Sequence, residues 1–264
     1  MNEVEVGGLR IAYQRVGDGP PLVLLHGALC DSRDWRPQLD ALSDEFTVVA
    51  WDAPGCGRSS DPPETFGLPD YADCLAGFID TLGLPRPHVL GLSWGGGLAL
   101  ALYQRSPALP RMLVLASAYA GWAGSLPPEV VAERLDSFLR DAELPPAQVA
   151  AGFVPGLLTA AAPPEMVDEV VAIMSEFHPV GARVMARGFA EADLRDVLPT
   201  IEVPTLLVWG ESDVRSPLPV ATEMHSRIPG STLVVIPGAG HLCNVEAADR
   251  FTAHVREFLR SHRD

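Results

Sequence analysis

Gly91-Leu92-Ser93-Trp94-Gly95 is the stretch whose reading decides the rest of the chain. The apolar run His88-Val89-Leu90 leads into it. Gly97-Leu98-Ala99-Leu100-Ala101-Leu102-Tyr103, a helix-like run, leads out. Strand, sharp turn and helix follow one another, with a serine at the apex. Such a turn strains the backbone of the serine, and a Cβ two residues to either side would worsen it by clashing. Glycine at 91 and 95 removes both. The strain holds the Ser93 hydroxyl out above the strand ends. The first helical turn beyond it presents free N–H groups and a positive dipole end, which suits a developing oxyanion. A serine in a tight glycine-rich turn is common enough alone; the strand before, the helix after and the partners elsewhere give the pattern its meaning.

A serine hydroxyl is a poor nucleophile at neutral pH. It needs a base within hydrogen-bond reach, and the base needs an orienting carboxylate. His241 is the best base. It follows the apolar run 232–236 in Pro237-Gly238-Ala239-Gly240-His241-Leu242, a loop that can bend over the rim of a sheet. His88 opens the nucleophile strand from its far end, His178 lies in a helical region, and His225, His254 and His262 fall in helices or the tail. Asp213 is the best orienter, since it follows the strand 205–209. Glu211 is its local rival and Asp52 a more distant one. The run 22–25 ends in His26-Gly27-Ala28-Leu29, where backbone N–H groups can turn toward the top of the sheet. Ala28 is the candidate second oxyanion donor, with Trp94 as its partner after the nucleophile. His26 itself reads as a brace for the loop.

Around these motifs the chain alternates. Residues 3–15 form an edge hairpin around Gly7-Gly8. Strands follow at 22–25, 47–51, 88–90 and 112–117, with helices at 34–42 and 71–82 between them. The Gly/Pro-rich loop from Asp52 to Ser59 has no phosphate-cradle spacing, so Asp52 and Ser59 are expected to brace backbone. Regular alternation predicts a mainly parallel sheet with helices on both faces, and ligands at the carboxyl ends of its strands.

The alternation breaks at about residue 121. No strand is predicted up to 199; helices are predicted instead over 129–140, 146–158, 164–177 and 181–190, the first three opened by paired prolines. The expected organisation is a core of residues 1–120 and 200–264 with a helical cap, 121–199, inserted into it. Trp122, Phe138 and Phe153 of the cap, and Trp35 early in the first helix, are the candidates to line a pocket over Ser93; for each, core packing is the competing reading. Arg58, Arg183, Arg187 and Arg215 are the cations that could meet a carboxylate.

A net charge of −15 repels phosphate backbones, which argues against a nucleic-acid partner. No apolar run reaches the ~18 residues of a membrane span, and the acidic start Met1-Asn2-Glu3-Val4-Glu5 has no apolar signal core, so a cytoplasmic location is expected. Cys30, Cys56, Cys74 and Cys243 lie far apart without metal-ligand spacing and read as free thiols, so no metal is expected. Oligomeric state is not legible.

The elbow at Ser93, then Asp213, then His241, in that order, resembles the α/β-hydrolase superfamily. His26-Gly27, the loop from Asp52 to Ser59 and the helical insertion between the sixth and seventh strands fit the same pattern. The resemblance covers essentially the whole chain. It is nearest to small capped esterases and lactonases, such as 3-oxoadipate enol-lactonase, and to cofactor-free haloperoxidase-type esterases. It implies an eight-stranded, mainly parallel sheet, no cofactor, and hydrolysis of a small ester or lactone through an acyl-enzyme; the apolar cap residues point to a mainly apolar substrate. Carbon–carbon bond hydrolases are a further relative. Haloalkane dehalogenases and epoxide hydrolases carry Asp as nucleophile, and Ser93 argues against both. Other chemistry on the same scaffold (acyl transfer, perhydrolysis, a lyase or a cyclase) and a receptor-like binding role are the alternatives.

Overall fold

Strands β3 (Pro21–Leu25), β4 (Thr47–Trp51), β5 (His88–Leu92), β6 (Met112–Ala116) and β7 (Thr205–Gly210) are apolar at nearly every position, and all but Pro21 are buried throughout. A strand reads this way when both faces of its sheet are covered. The computed structural model, which describes residues 1–262, places them in one eight-stranded sheet. β1 (Asn2–Val6), β2 (Leu9–Val16) and β8 (Thr232–Ile236) complete it, in the order β1-β2-β4-β3-β5-β6-β7-β8. β1 and β2 form the expected edge hairpin, and β2 joins β4 antiparallel; every other pair is parallel. The register sets Leu25 beside Gly91, Leu92 beside Ala116 and Gly210 beside Ile236, so these strands end along one rim.

The two faces split by alternation, since successive side chains of a strand point opposite ways. Val23 and Leu25 join one core, with Leu75 and Phe78 of α2 (Leu68–Thr81) and Leu98 and Leu102 of α3 (Trp94–Arg105). Leu22 and Leu24 join the other. It includes Leu39 of α1 (Arg36–Leu42) and, further along the chain, Phe251, Val255 and Leu259.

Between β6 and β7 the chain runs through four helices and no strand: α4 (Pro128–Asp141), α5 (Pro146–Phe153), α6 (Pro164–Met174) and α7 (Pro179–Glu191). Proline opens each, where its missing N–H has no partner to lose. α5 stops short of the expected residue 158, because Pro155 cannot continue the ladder and the chain tightens into a 3-10 turn, Val154–Gly156. α7 starts earlier than expected, at Pro179. The first predicted helix is also divided: a 3-10 turn, Ser32–Trp35, capped by the Asp31 side chain, precedes α1. After β7 come α8 (Leu218–Arg227), β8, an unforeseen single turn α9 (Cys243–Glu246), and α10 (Ala248–Ser261). Among the described residues no helix is long and apolar enough to cross a membrane.

Candidate active site

Ser93 stands between β5 and α3 with φ 55° and ψ −114°. For a residue with a Cβ this is a strained conformation, held only because its surroundings over-determine it. Its N–H donates to the Ala116 carbonyl at 2.8 Å, which fastens the turn to the end of β6. A Cβ at Gly91 would collide with the backbone of Gly95, and one at Gly95 with the carbonyl oxygens of Leu25 and His26. The elbow therefore exists only with glycine on both sides, and its close approach to β3 brings the 26–29 loop against the start of α3.

The histidine–carboxylate pair comes from the ends of the last two strands. His241 Nδ1 lies 2.9 and 3.0 Å from the two carboxylate oxygens of Asp213, and both residues are buried. Asp213 Oδ1 also accepts from the backbone N–H groups of Arg215 (2.9 Å) and Ser216 (2.8 Å). A carboxylate so supplied with donors stays where it is and fixes the imidazole with Nδ1–H toward it, leaving Nε2 free to take a proton. Glu211 instead accepts from Gly238 N–H at 3.0 Å, bracing the loop that carries His241. Asp52 accepts from the N–H groups of Ser32 and Arg58, both at 2.9 Å, while Ser59 donates to the Asp52 carbonyl and accepts from Ala12 N–H. Neither rival carboxylate meets the histidine.

Ser93, His241, Ala28 and Trp94 open onto one cavity of about 360 Å³. Trp122, Phe138 and Phe153 also line it, their rings in edge contact at 5.2–5.4 Å in the sequence Trp122–Phe138–Phe153. Trp35 does not. It is wholly buried in the core that also holds Leu39 and Phe251, its ring 6.3 Å from that of Phe251, so the expectation that it lines the cavity is corrected. Its place at the end of the 3-10 turn points the indole into the core between α1 and α10.

His26 is also buried. Its Nε2 accepts the Ala53 N–H at 3.0 Å and its Nδ1 lies 2.7 Å from the Gly27 carbonyl, so it ties two strand-end loops together. Burial lowers its pKa, outweighing the Gly27 carbonyl, Asp52 and Asp31, which raise it. Cys30 lines the cavity, but burial raises its thiol pKa well above the ordinary value; burial likewise pushes Cys243 up to about 12. Neither supplies a thiolate. Among the described residues no three His, Cys, Asp or Glu side chains gather as metal ligands.

Of the four cations singled out from the sequence, only Arg215 reaches the cavity. Arg183 lies within 3.6–4.0 Å of Glu143 and Glu64, and Arg58 and Arg187 are exposed. The sequence reading missed Arg134 and Tyr119, which line the cavity too. A signal was present: Val130, Arg134 and Phe138 recur every four residues along α4 and share one face. Tyr119 follows the end of β6, on the rim where ligands of such sheets bind.

Residues 20–248 match the alpha/beta hydrolase fold family. A thermophilic esterase from Thermogutta terrifontis is similar in structure, with 32% identity and a TM-score of 0.92 over 99% of each chain. The enol-lactonase from Burkholderia xenovorans is similar at 27% identity and a TM-score of 0.90, over 98% of this chain and 100% of that one. Haloalkane dehalogenase 2 of Mycobacterium tuberculosis is 31% identical over 269 residues, 94% of this chain and 91% of its own length.

Proposed function

The chain belongs to the alpha/beta hydrolase fold family, and from that premise we propose a serine hydrolase that cleaves a small ester or lactone through an acyl-enzyme. The observation that carries this reading is the buried Asp213–His241 pair opening onto the same cavity as the strained Ser93. In the proposed reaction His241 Nε2 takes the proton of the Ser93 hydroxyl as the oxygen attacks the carbonyl carbon. The oxyanion is met by the N–H groups of Ala28 and Trp94. His241 then returns its proton to the leaving alcohol, and the Ser93 ester forms. Water, deprotonated by the same nitrogen, attacks that ester and releases the acid. Asp213 holds the imidazole tautomer and stabilises its cation. Helices α4 to α7 act as a cap whose apolar rings enclose the acyl or alkyl group. The esterase and lactonase among its structural relatives support this class of substrate. A dehalogenase relative does not redirect it, because the elbow carries a serine, whose hydroxyl forms an acyl ester, instead of a carboxylate that displaces halide.

The test is intact mass after incubation with a fluorophosphonate, beside turnover of short-chain p-nitrophenyl esters. One adduct is expected on the parent and none on Ser93→Ala, whose kcat should fall about a thousandfold or more. Asp213→Asn should fold and lose most of its rate, while Glu211→Gln keeps it. Retention of activity in Ser93→Ala sinks the reading. Loss confined to Glu211→Gln would move the carboxylate role.

A further inference from the structure

The cavity holds two guanidinium groups. Arg134 comes from α4 and Arg215 from the loop after β7, two residues beyond Asp213. Both are anchored through neutral acceptors. Arg134 Nη1 donates to the Tyr119 hydroxyl at 2.9 Å, and its Nη2 to the Arg215 carbonyl at 3.0 Å; the Tyr119 hydroxyl donates to that same carbonyl. Arg215 Nη2 donates to the Phe153 carbonyl at 3.2 Å, and its guanidinium lies 4.0 Å above the Phe153 ring. Among the described residues neither cation forms an ion pair with a carboxylate. Glu133 shares the cavity wall from the exposed side of α4, yet pairs with neither. Surface arginines such as Arg105, Arg195 and Arg260 each hold a carboxylate, and Arg58 and Arg187, which form no ion pair among the described residues, are exposed to solvent; Arg134 and Arg215 instead are partly buried and face a cavity.

Two positive charges set side by side in a partly enclosed, aromatic-walled cavity repel one another, and burial adds to the cost. Burial first and Arg134 second lower the pKa of Arg215, and Tyr119, Asp213 and Asp141, which raise it, do not offset them. An anion between them relieves both effects. Planar guanidinium forks match a carboxylate with charge-assisted hydrogen bonds, and their anchoring to Tyr119 and Phe153 means that little side-chain freedom is lost on binding. A local positive cluster in a low-dielectric cleft focuses its field there despite an acidic exterior. We propose that Arg134 and Arg215 form a carboxylate subsite in the pocket, and that the substrate is an ester or lactone bearing a second, free carboxylate, such as the monoester of a dicarboxylic acid. This rests on the serine hydrolase reading above. It replaces the expectation of a mainly apolar substrate with an amphipathic one, an apolar spacer against Trp122 and Phe138 and an anionic end on the two arginines.

A charge-only comparison tests it. Hydrolysis of monomethyl succinate, glutarate, adipate and pimelate is followed in a pH-stat beside the dimethyl ester of each acid. At low salt the monoester of best-fitting length should exceed its diester in kcat/KM by about tenfold or more, and 0.5 M NaCl should shrink that ratio. Arg215→Gln and Arg134→Gln should each cut the ratio about tenfold, with the Lys variants retaining part of it. Calorimetric binding of the free dicarboxylates, against their uncharged diamides, reads the subsite in the parent without turnover. A fluorophosphonate adduct on Ser93 with equal or better use of the diester at every length, and no dicarboxylate binding, overturns the subsite and leaves the hydrolase standing. Dicarboxylate binding lost in Arg215→Gln, in a protein that forms no adduct and hydrolyses neither ester, upholds the subsite and removes the hydrolase.

Discussion

Asp34, beside the cavity-lining Cys30, carries a clear electrostatic penalty. It is buried, and neither carboxyl oxygen has a nitrogen or hydroxyl donor, which leaves the weak Cys30 thiol as its neighbour. Burial raises its pKa from 3.8 to about 7, and the negative charge of Asp31 adds to the effect. The folded protein therefore keeps a proton on Asp34 between about pH 4 and 7, where the unfolded chain has already lost it. Folding binds more protons than unfolding in that window, so this group makes stability fall as pH rises from about 4 to 7, and the loss levels off above 7. At about 1.4 kcal/mol per pKa unit the full effect is on the order of 4 kcal/mol. Asp34→Asn removes the titration. Urea midpoints at pH 5 and pH 8 should move apart in the parent and lie closer together in the variant, with the variant gaining most at pH 8. Parallel midpoints for the two proteins would mean that Asp34 is already ionised and solvated in the native state.

At the scale of the element, the strand–turn–helix around Ser93 tolerates little change. A Cβ at position 95 would push α3 away from the carbonyl oxygens of Leu25 and His26, and backbone there cannot yield as a side-chain tip would. Gly95→Ala should cost roughly 1–3 kcal/mol, in the range of overpacked cores. It should also separate the Ala28 and Trp94 N–H groups, lowering kcat/KM at least tenfold below the melting transition. A variant that melts lower but turns over like the parent would show that the β3–α3 approach serves packing alone. The same local rigidity explains what the sequence made legible. Runs such as Leu22–Leu25 and Met112–Ala116 are apolar because both faces are covered, and the loops at their ends carry Gly27, Asp52, Ser93, Asp213 and His241 because the parallel register lines up those ends. Helix faces were less legible. Trp35 and Trp122 are both buried tryptophans, yet one faces α10 and the other the cavity, and only tertiary packing decides between them. Arg134 was missed for the same reason: a cation on a solvent-facing amphipathic helix and one turned into a pocket have the same spacing in sequence.

Over the whole molecule, the loop that carries His241 and the helical segment between β6 and β7 are fastened to each other as well as to the sheet. His241 is held on both sides: Gly240 N–H donates to Glu246 at 2.6 Å, and Leu242 N–H to the Leu157 carbonyl at 3.0 Å. The other oxygen of Glu246 accepts the Thr159 N–H at 3.0 Å and the Thr159 hydroxyl. One carboxylate on α9 thus joins the loop after β8 to the segment after α5, and any movement of that segment pulls on the position of the imidazole. The rest of the seam is made of surface pairs. Arg33 reaches Glu176 at 2.9 Å, Arg36 reaches Glu169 at 2.9 Å, and His178 bridges Asp61 and the Gly57 carbonyl. Exposed pairs of that kind contribute little each, so Glu246 is the link whose loss should reach the chemistry. Glu246→Ala leaves the Gly240 and Thr159 N–H groups without their acceptor, at about 1–3 kcal/mol of stability. If Glu246 positions the loop, kcat at 15 °C, far below the melt, should also fall about tenfold, and fluorophosphonate labelling of Ser93 should slow in step. Glu246→Gln, which keeps one accepting oxygen, should recover part of both. A lowered melting temperature with kcat and labelling rate unchanged would confine Glu246 to a structural role and would mean that the loop holds His241 in place without the helical segment.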